Sequence, residues 1–150
     1  PAMPDLVWGD QVSTYEYEGE KAGYDAYIFW GQGEPVLDKP ALFVEGFDLE
    51  NDLDWEEIYA LLSAQGLAAA LRQAGFDLVL MNFADATDYV QRNGLALASL
   101  VERINGEKTG AEPLVVAGAS MGGGAPTLKR GGRPHAFRVV AISLQPRCYG

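Results

Sequence analysis

The hydrophobic pattern of the chain changes character near Pro40. Before it, Val12–Tyr17 and Tyr24–Trp30 are rich in β-branched and aromatic residues, with a turn over Gly19–Gly23. This predicts an antiparallel hairpin in which Tyr24, Ala26, Ile28 and Trp30 share one face. Residues Gly31–Pro40 read as a loop. Beyond it, alternation gives way to short continuous apolar runs, the form taken by strands covered on both faces. These runs are Ala41–Val44, Phe76–Phe83 and Pro113–Gly118.

Helical periodicity fills the gaps between the runs. Asp54 with Glu57 three residues on has the form of a capping box. It opens a helix carrying Ile58, Leu61 and Leu62 and, past a weak point at Gly66, Leu67 and Leu71, with Gly75 as its stop. A second helix is predicted from near Thr87 to about Asn105, with Val90, Leu97, Val101 and Ile104 along one face. Residues 41–118 therefore read strand–helix–strand–helix–strand. That alternation implies a parallel sheet with right-handed crossovers and helices on both faces.

Composition narrows the function classes. With 48% apolar and 21% charged residues, the chain has enough apolar surface to build a core, and at 150 residues it is one domain. No apolar run approaches the ~18 residues of a membrane span. A single cysteine, Cys148, excludes an internal disulfide framework and a Cys-rich zinc site. The net charge of −10 disfavours non-specific nucleic-acid binding. No basic-then-apolar leader follows Pro1, which leaves the compartment open.

The distribution of charge matters more than its total. Residues 1–122 hold 6 Lys and Arg against 21 Asp and Glu, a net of −15, whereas residues 123–150 hold 5 bases and no acid. The chain thus divides into a hairpin and loop (1–40), a parallel βαβ core (41–122) and an atypical basic tail (123–150). A shift of reading frame near residue 123 or a naturally divergent tail would each produce this change.

The strongest chemical signal is G-x-S-x-G at Gly118, Ser120 and Gly122, directly after an apolar strand. Such a segment can turn sharply from strand to helix, with strained backbone at the serine. The turn lifts the hydroxyl to the carboxyl end of the sheet. It also aims the backbone N–H of Met121 at the same spot, giving a nucleophile and half an oxyanion hole.

On these residues the chain resembles the α/β-hydrolase family over roughly residues 12–122. The resemblance implies an α/β-hydrolase-like, mostly parallel sheet with an N-terminal antiparallel hairpin, ending after the helix that follows the nucleophile elbow. If the hairpin supplies the first two strands, Ser120 follows the fifth, where the family places it. Glu45-Gly46 occupies the place of the family's His-Gly pair, so the second oxyanion N–H carries over to Phe47. Asp88–Asn93 looks like a stretch of a bacterial esterase and lipase subgroup and receives no catalytic role.

Other features read as ordinary structure. Glu45 is a polar residue at a strand end. Asp48–Asp54 lacks the EF-hand glycine and terminal Glu, and suits a solvated loop entering a helix N-terminus. Lys108-Thr109-Gly110 matches a β-lactamase triplet by chance, and Cys148 is a spectator. A serine hydrolase also needs a His base and an orienting acid. The single His, His135, falls where the elbow helix should end and reads as a surface residue; no acid follows Ser120. The glycines at 122–124 and 131–132 and Pro134 leave that helix about two turns. Phe137–Ser143 could form one further strand.

The expected function is therefore a serine hydrolase, esterase- or lipase-like, acting on a small-molecule ester, with no cofactor and no metal. Two alternatives stand beside it. Gly118, Gly122 and Gly124 also fit the glycine pattern of short-chain dehydrogenases, although the strand position and the missing acid ~20 residues on argue against it. A non-catalytic hydrolase-fold scaffold is the other.

Overall fold

The computed structural model describes residues 3–9, 13, 15–45, 54–83, 90–121, 129–130, 133–134 and 137–144. In chain order the strands and helices are β1 (Leu6–Trp8), β2 (Glu16–Tyr17), β3 (Glu20–Lys21), β4 (Tyr24–Phe29), β5 (Pro40–Glu45), α1 (Trp55–Ala64), α2 (Leu67–Gln73), β6 (Asp77–Phe83), α3 (Val90–Glu107), β7 (Leu114–Met121), β8 (Lys129–Arg130), β9 (Arg133–Pro134) and β10 (Phe137–Leu144). Six strands form the main sheet in the order β1-β4-β6-β5-β7-β10.

This sheet overturns the expected mostly parallel, α/β-hydrolase-like one. Only β5 with β6 and β5 with β7 pair in parallel; β1 with β4, β4 with β6 and β7 with β10 are antiparallel. The reason lies in the connections. A parallel return needs a crossover of a dozen or more residues, usually a helix. Helices link β5 to β6 and β6 to β7, and there the sheet is parallel. Between β7 and β10 the described residues instead form the small antiparallel pair β8–β9, and β10 runs back along β7. The short helix expected after Ser120 falls on residues 122–128, outside the described residues, and Lys129–Arg130 beyond them are in β8.

The N-terminal hairpin also pairs otherwise than the pattern predicts. Glu18 and Gly19 both adopt positive φ (53° and 79°), the requirement of a two-residue type I′ turn, and this closes a hairpin of only β2 and β3. The strand at 24–29 is as expected, but it takes Leu6–Trp8 as its outer partner, Val7 opposite Tyr27.

Two apolar layers sandwich the sheet. One face gathers Tyr24, Ala26, Ile28, Leu42, Val44, Val79 and Met81 under Ala96, Leu100 and Ile104 of α3. The other gathers Phe29, Ala41, Phe43, Leu78 and Leu80 under Ile58, Leu62 and Ala68 of α1 and α2. Successive residues of β5 and β6 go to opposite layers, as period two requires. On α3 the fully buried line is Asn93, Ala96, Leu100 and Ile104, with Leu97 and Val101 half-buried beside it. The packed stripe is thus turned relative to the expected line: Ile104 is shared, while Leu97 and Val101 lie at its border.

The helix ends follow their sequence signals. The Asp54 carboxylate accepts a hydrogen bond from the Glu57 N–H at 2.8 Å, capping α1. Gly66 (φ 71°) separates α1 from α2. After α2, Gly75 adopts φ 91° while its N–H donates to Arg72 O and that of Phe76 to Leu71 O, a Schellman ending.

Candidate functional site

The sequence-derived site centres on the carboxyl end of β7. In chain order β7 is the fifth strand of the main sheet, and it lies next to β5, running the same way. The two strands are in register from Ala41 with Val115 to Glu45 with Ala119. Ser120 therefore sits one position past the end of this parallel ladder. Phe47 follows two residues after Glu45 and lies outside the described residues, as do Gly122, His135 and Cys148.

The local backbone differs from the expected elbow. Strand β7 continues through Ser120 and Met121, which stand opposite Arg138 and Phe137 of β10. Among the described residues Glu18 is the non-glycine residue with positive φ, so the strained turn predicted at Ser120 is not present. Nor does crowding impose the glycine at 118: a Cβ there meets nothing within 4 Å. Antiparallel pairing with β10, which continues through Ser120 and Met121 past the end of the β5 ladder, holds the strand extended where the turn was expected. Glu45 is the last residue of β5, the strand-end position expected of it.

At the opposite end of the sheet lies a carboxylate that the sequence reading passed over. Asp77 opens β6 and is buried, 1% exposed. Its Oδ1 accepts from the Gly31 N–H at 2.8 Å, and its Oδ2 accepts from the N–H groups of Asp38 (3.0 Å) and Lys39 (3.2 Å). Burial pushes its pKa above the usual Asp value; the three N–H donors oppose the shift and the neighbouring Asp38 carboxyl adds to it. An acid inside the apolar run Phe76–Phe83 was the available signal. Every hydrogen bond just named goes to backbone, so Asp77 ties loops to the sheet.

Near Asp77 an open polar hollow of about 450 Å³ is lined by Asp5, Trp30, Gln32, Arg72 and Gln73 among others. Its one cation is committed. Arg72 Nε donates to Trp30 O (2.9 Å), Nη1 donates to Tyr59 Oη (3.1 Å), and Nη2 lies 3.6 Å from the Asp5 carboxylate. The hollow therefore reads as a by-product of loop anchoring.

Among the described residues no group of three or more His, Cys, Asp or Glu side chains is placed to hold a metal ion. No helix among them is long and apolar enough to cross a membrane. Comparison with known proteins returns no matching family model, no matching curated protein and no matching solved structure.

Proposed function

We propose that the chain carries the nucleophile of a serine hydrolase acting on a small-molecule ester. The observation that carries this reading is the Ser120 of a G-x-S-x-G sequence near the carboxyl end of β7, a strand that runs parallel to β5, after which Phe47 follows in sequence. In α/β sheets, ligands collect outside the carboxyl ends of the parallel strands, which among the described residues of this mixed sheet are β5, β6 and β7. The hydroxyl of Ser120 attacks the ester carbonyl carbon, the N–H groups of Met121 and Phe47 steady the oxyanion, and the alcohol leaves. Water then cleaves the acyl-serine to free acid.

A fluorophosphonate probe tests the assignment, because it reports the nucleophile without requiring turnover. Mass mapping should find the adduct on Ser120, and Ser120→Ala should remove it. No labelling of the folded chain, or equal labelling of the variant, overturns the reading and leaves a non-catalytic scaffold.

A further inference from the structure

Strand β6 lies between β4 and β5, so the chain passes from β4 to β5 across the start of β6. Residues 31–39 therefore form a strap over that end of the sheet. Gln32 to Pro35 are exposed. Three fastenings hold the strap down. The Gln32 N–H donates to Arg72 O at 2.8 Å. Leu37 is buried, and its carbonyl accepts from the Thr109 N–H at 2.9 Å. The Asp77 carboxylate takes the N–H groups of Gly31, Asp38 and Lys39. A segment held mainly by backbone polar bonds, with one large apolar anchor, can open while the sheet beneath it stays folded.

Of these fastenings, Asp77 is the one whose charge can change. It is buried, and the Asp38 carboxyl adjoins it. With its proton in place Asp77 is neutral, and the Asp38 carboxylate beside it favours that proton. Without it, a negative charge is shut away from water next to a second acid. The three N–H donors favour the charged form, but burial outweighs them, which is why the pKa is raised. The other charged groups nearby are directed elsewhere. Lys39 turns its ammonium to Ala74 O and the Phe76 ring. Arg72 of α2 serves Trp30 O, Tyr59 and Asp5. Lys108, just past α3, donates to Glu112 O, and Glu34 is exposed. Lifting the strap lets water reach the Asp77 charge and separates it from Asp38.

We propose that residues 31–39 are a proton-operated strap: protonated Asp77 keeps it fastened, and ionised Asp77 lets it open while the sheet stays folded. The device lies at the end of the sheet opposite Ser120 and is independent of the hydrolase reading.

Amide hydrogen exchange on the 150-residue chain, followed by NMR from about pH 3 to pH 7, tests this, because the range spans the ordinary carboxyl values. Division by the intrinsic exchange rates gives an opening constant for each amide. For Gly31, Asp38 and Lys39 it should rise with pH by up to about tenfold per unit, the limit for one proton, and then level off. Gln32 and Thr109, whose bonds do not involve Asp77, should follow the same curve if the strap moves as a unit. Leu80 in β6 should open about tenfold less or rarer still at every pH. Asp77→Asn should remove the rise, and Asp38→Asn should make it smaller and complete it at lower pH; circular dichroism first confirms that each is folded. Opening constants that do not change with pH overturn the proposal. So does a rise confined to the three amides bound to Asp77, a Leu80 constant equal to that of the strap, or a rise that persists in folded Asp77→Asn. Should that variant fail to fold, the wild-type curves and Asp38→Asn decide it.

Discussion

A glycine and an acid at the same corner of the sheet show how single residues set this structure. A Cβ at Gly31 would lie 2.5–2.6 Å from the backbone atoms Gly75 C, Gly75 O and Phe76 O. Backbone cannot swing aside as a long side chain can, so the loop and the α2 ending must separate. Gly31→Ala should therefore cost about 1–3 kcal/mol, the range for overpacking, read as a lower denaturation midpoint with an unchanged slope. The Gly31 N–H also donates to Asp77, so the same change loosens that carboxylate.

For Asp77 the pH dependence follows from the direction of its shift. Its folded pKa is raised, so across the window between the ordinary Asp value and the raised one the folded state binds more protons than the unfolded state. Its contribution to stability then falls as pH rises through that window. Asp77→Asn should flatten this part of the stability–pH curve. It should also lower stability by about 1–3 kcal/mol at acid pH, the difference shrinking as pH rises through the window, because an amide NH₂ would face backbone donors that need an acceptor. Thermal melts of both proteins from acid to neutral pH check the two effects together.

Among the elements, those defined by local chemistry were legible in the sequence and those defined by partnership were not. Apolar runs marked β5, β6 and the start of β7, and Asp54, Gly66 and Gly75 marked the helix ends. Pattern does not say which strand lies beside which. The partner of β4 was missed because β1 has only three residues, too few to show a period, and because a glutamate in positive φ at Glu18 is not a recognised hairpin signal. At the candidate site the motif was legible, but the continuation of β7 through Met121 was not. That depends on β10, which is far along the chain and shares no local signal with Ser120.

Helix α3 allows a stabilising test. Gly94 lies within it, and a Cβ there meets nothing within 4 Å. Gly94→Ala should add about 0.5–1 kcal/mol by reducing backbone freedom in the unfolded chain, seen as a raised melting temperature. Asp54→Ala should do the reverse at α1, costing about 1 kcal/mol with the loss of its bond to Glu57.

At the scale of the whole molecule, the proposed chemistry meets a shortage of partners. The chain has one histidine and no acid after Glu112. A serine without a base is a poor nucleophile near neutral pH. The 150-residue chain should therefore take a fluorophosphonate slowly and hydrolyse p-nitrophenyl esters weakly or not at all. Stopped assays against Ser120→Ala set the background. Robust turnover lost equally in Ser120→Ala and His135→Ala would reassign His135 as the base.

The order of the parallel strands also bears on how the chain is made. β5 comes first, β6 settles on one side of it, and β7 takes the other side only after α3 has been passed. On the ribosome, the nascent chain thus holds this central strand half-paired while some thirty further residues, from Ala84 to Pro113, are added. Until Leu114–Met121 emerges, Leu42 and Val44 border an empty lane that any other strand could enter. Slower translation through α3 should therefore lower the yield of folded protein, which expression with synonymous codons over residues 84–113 checks.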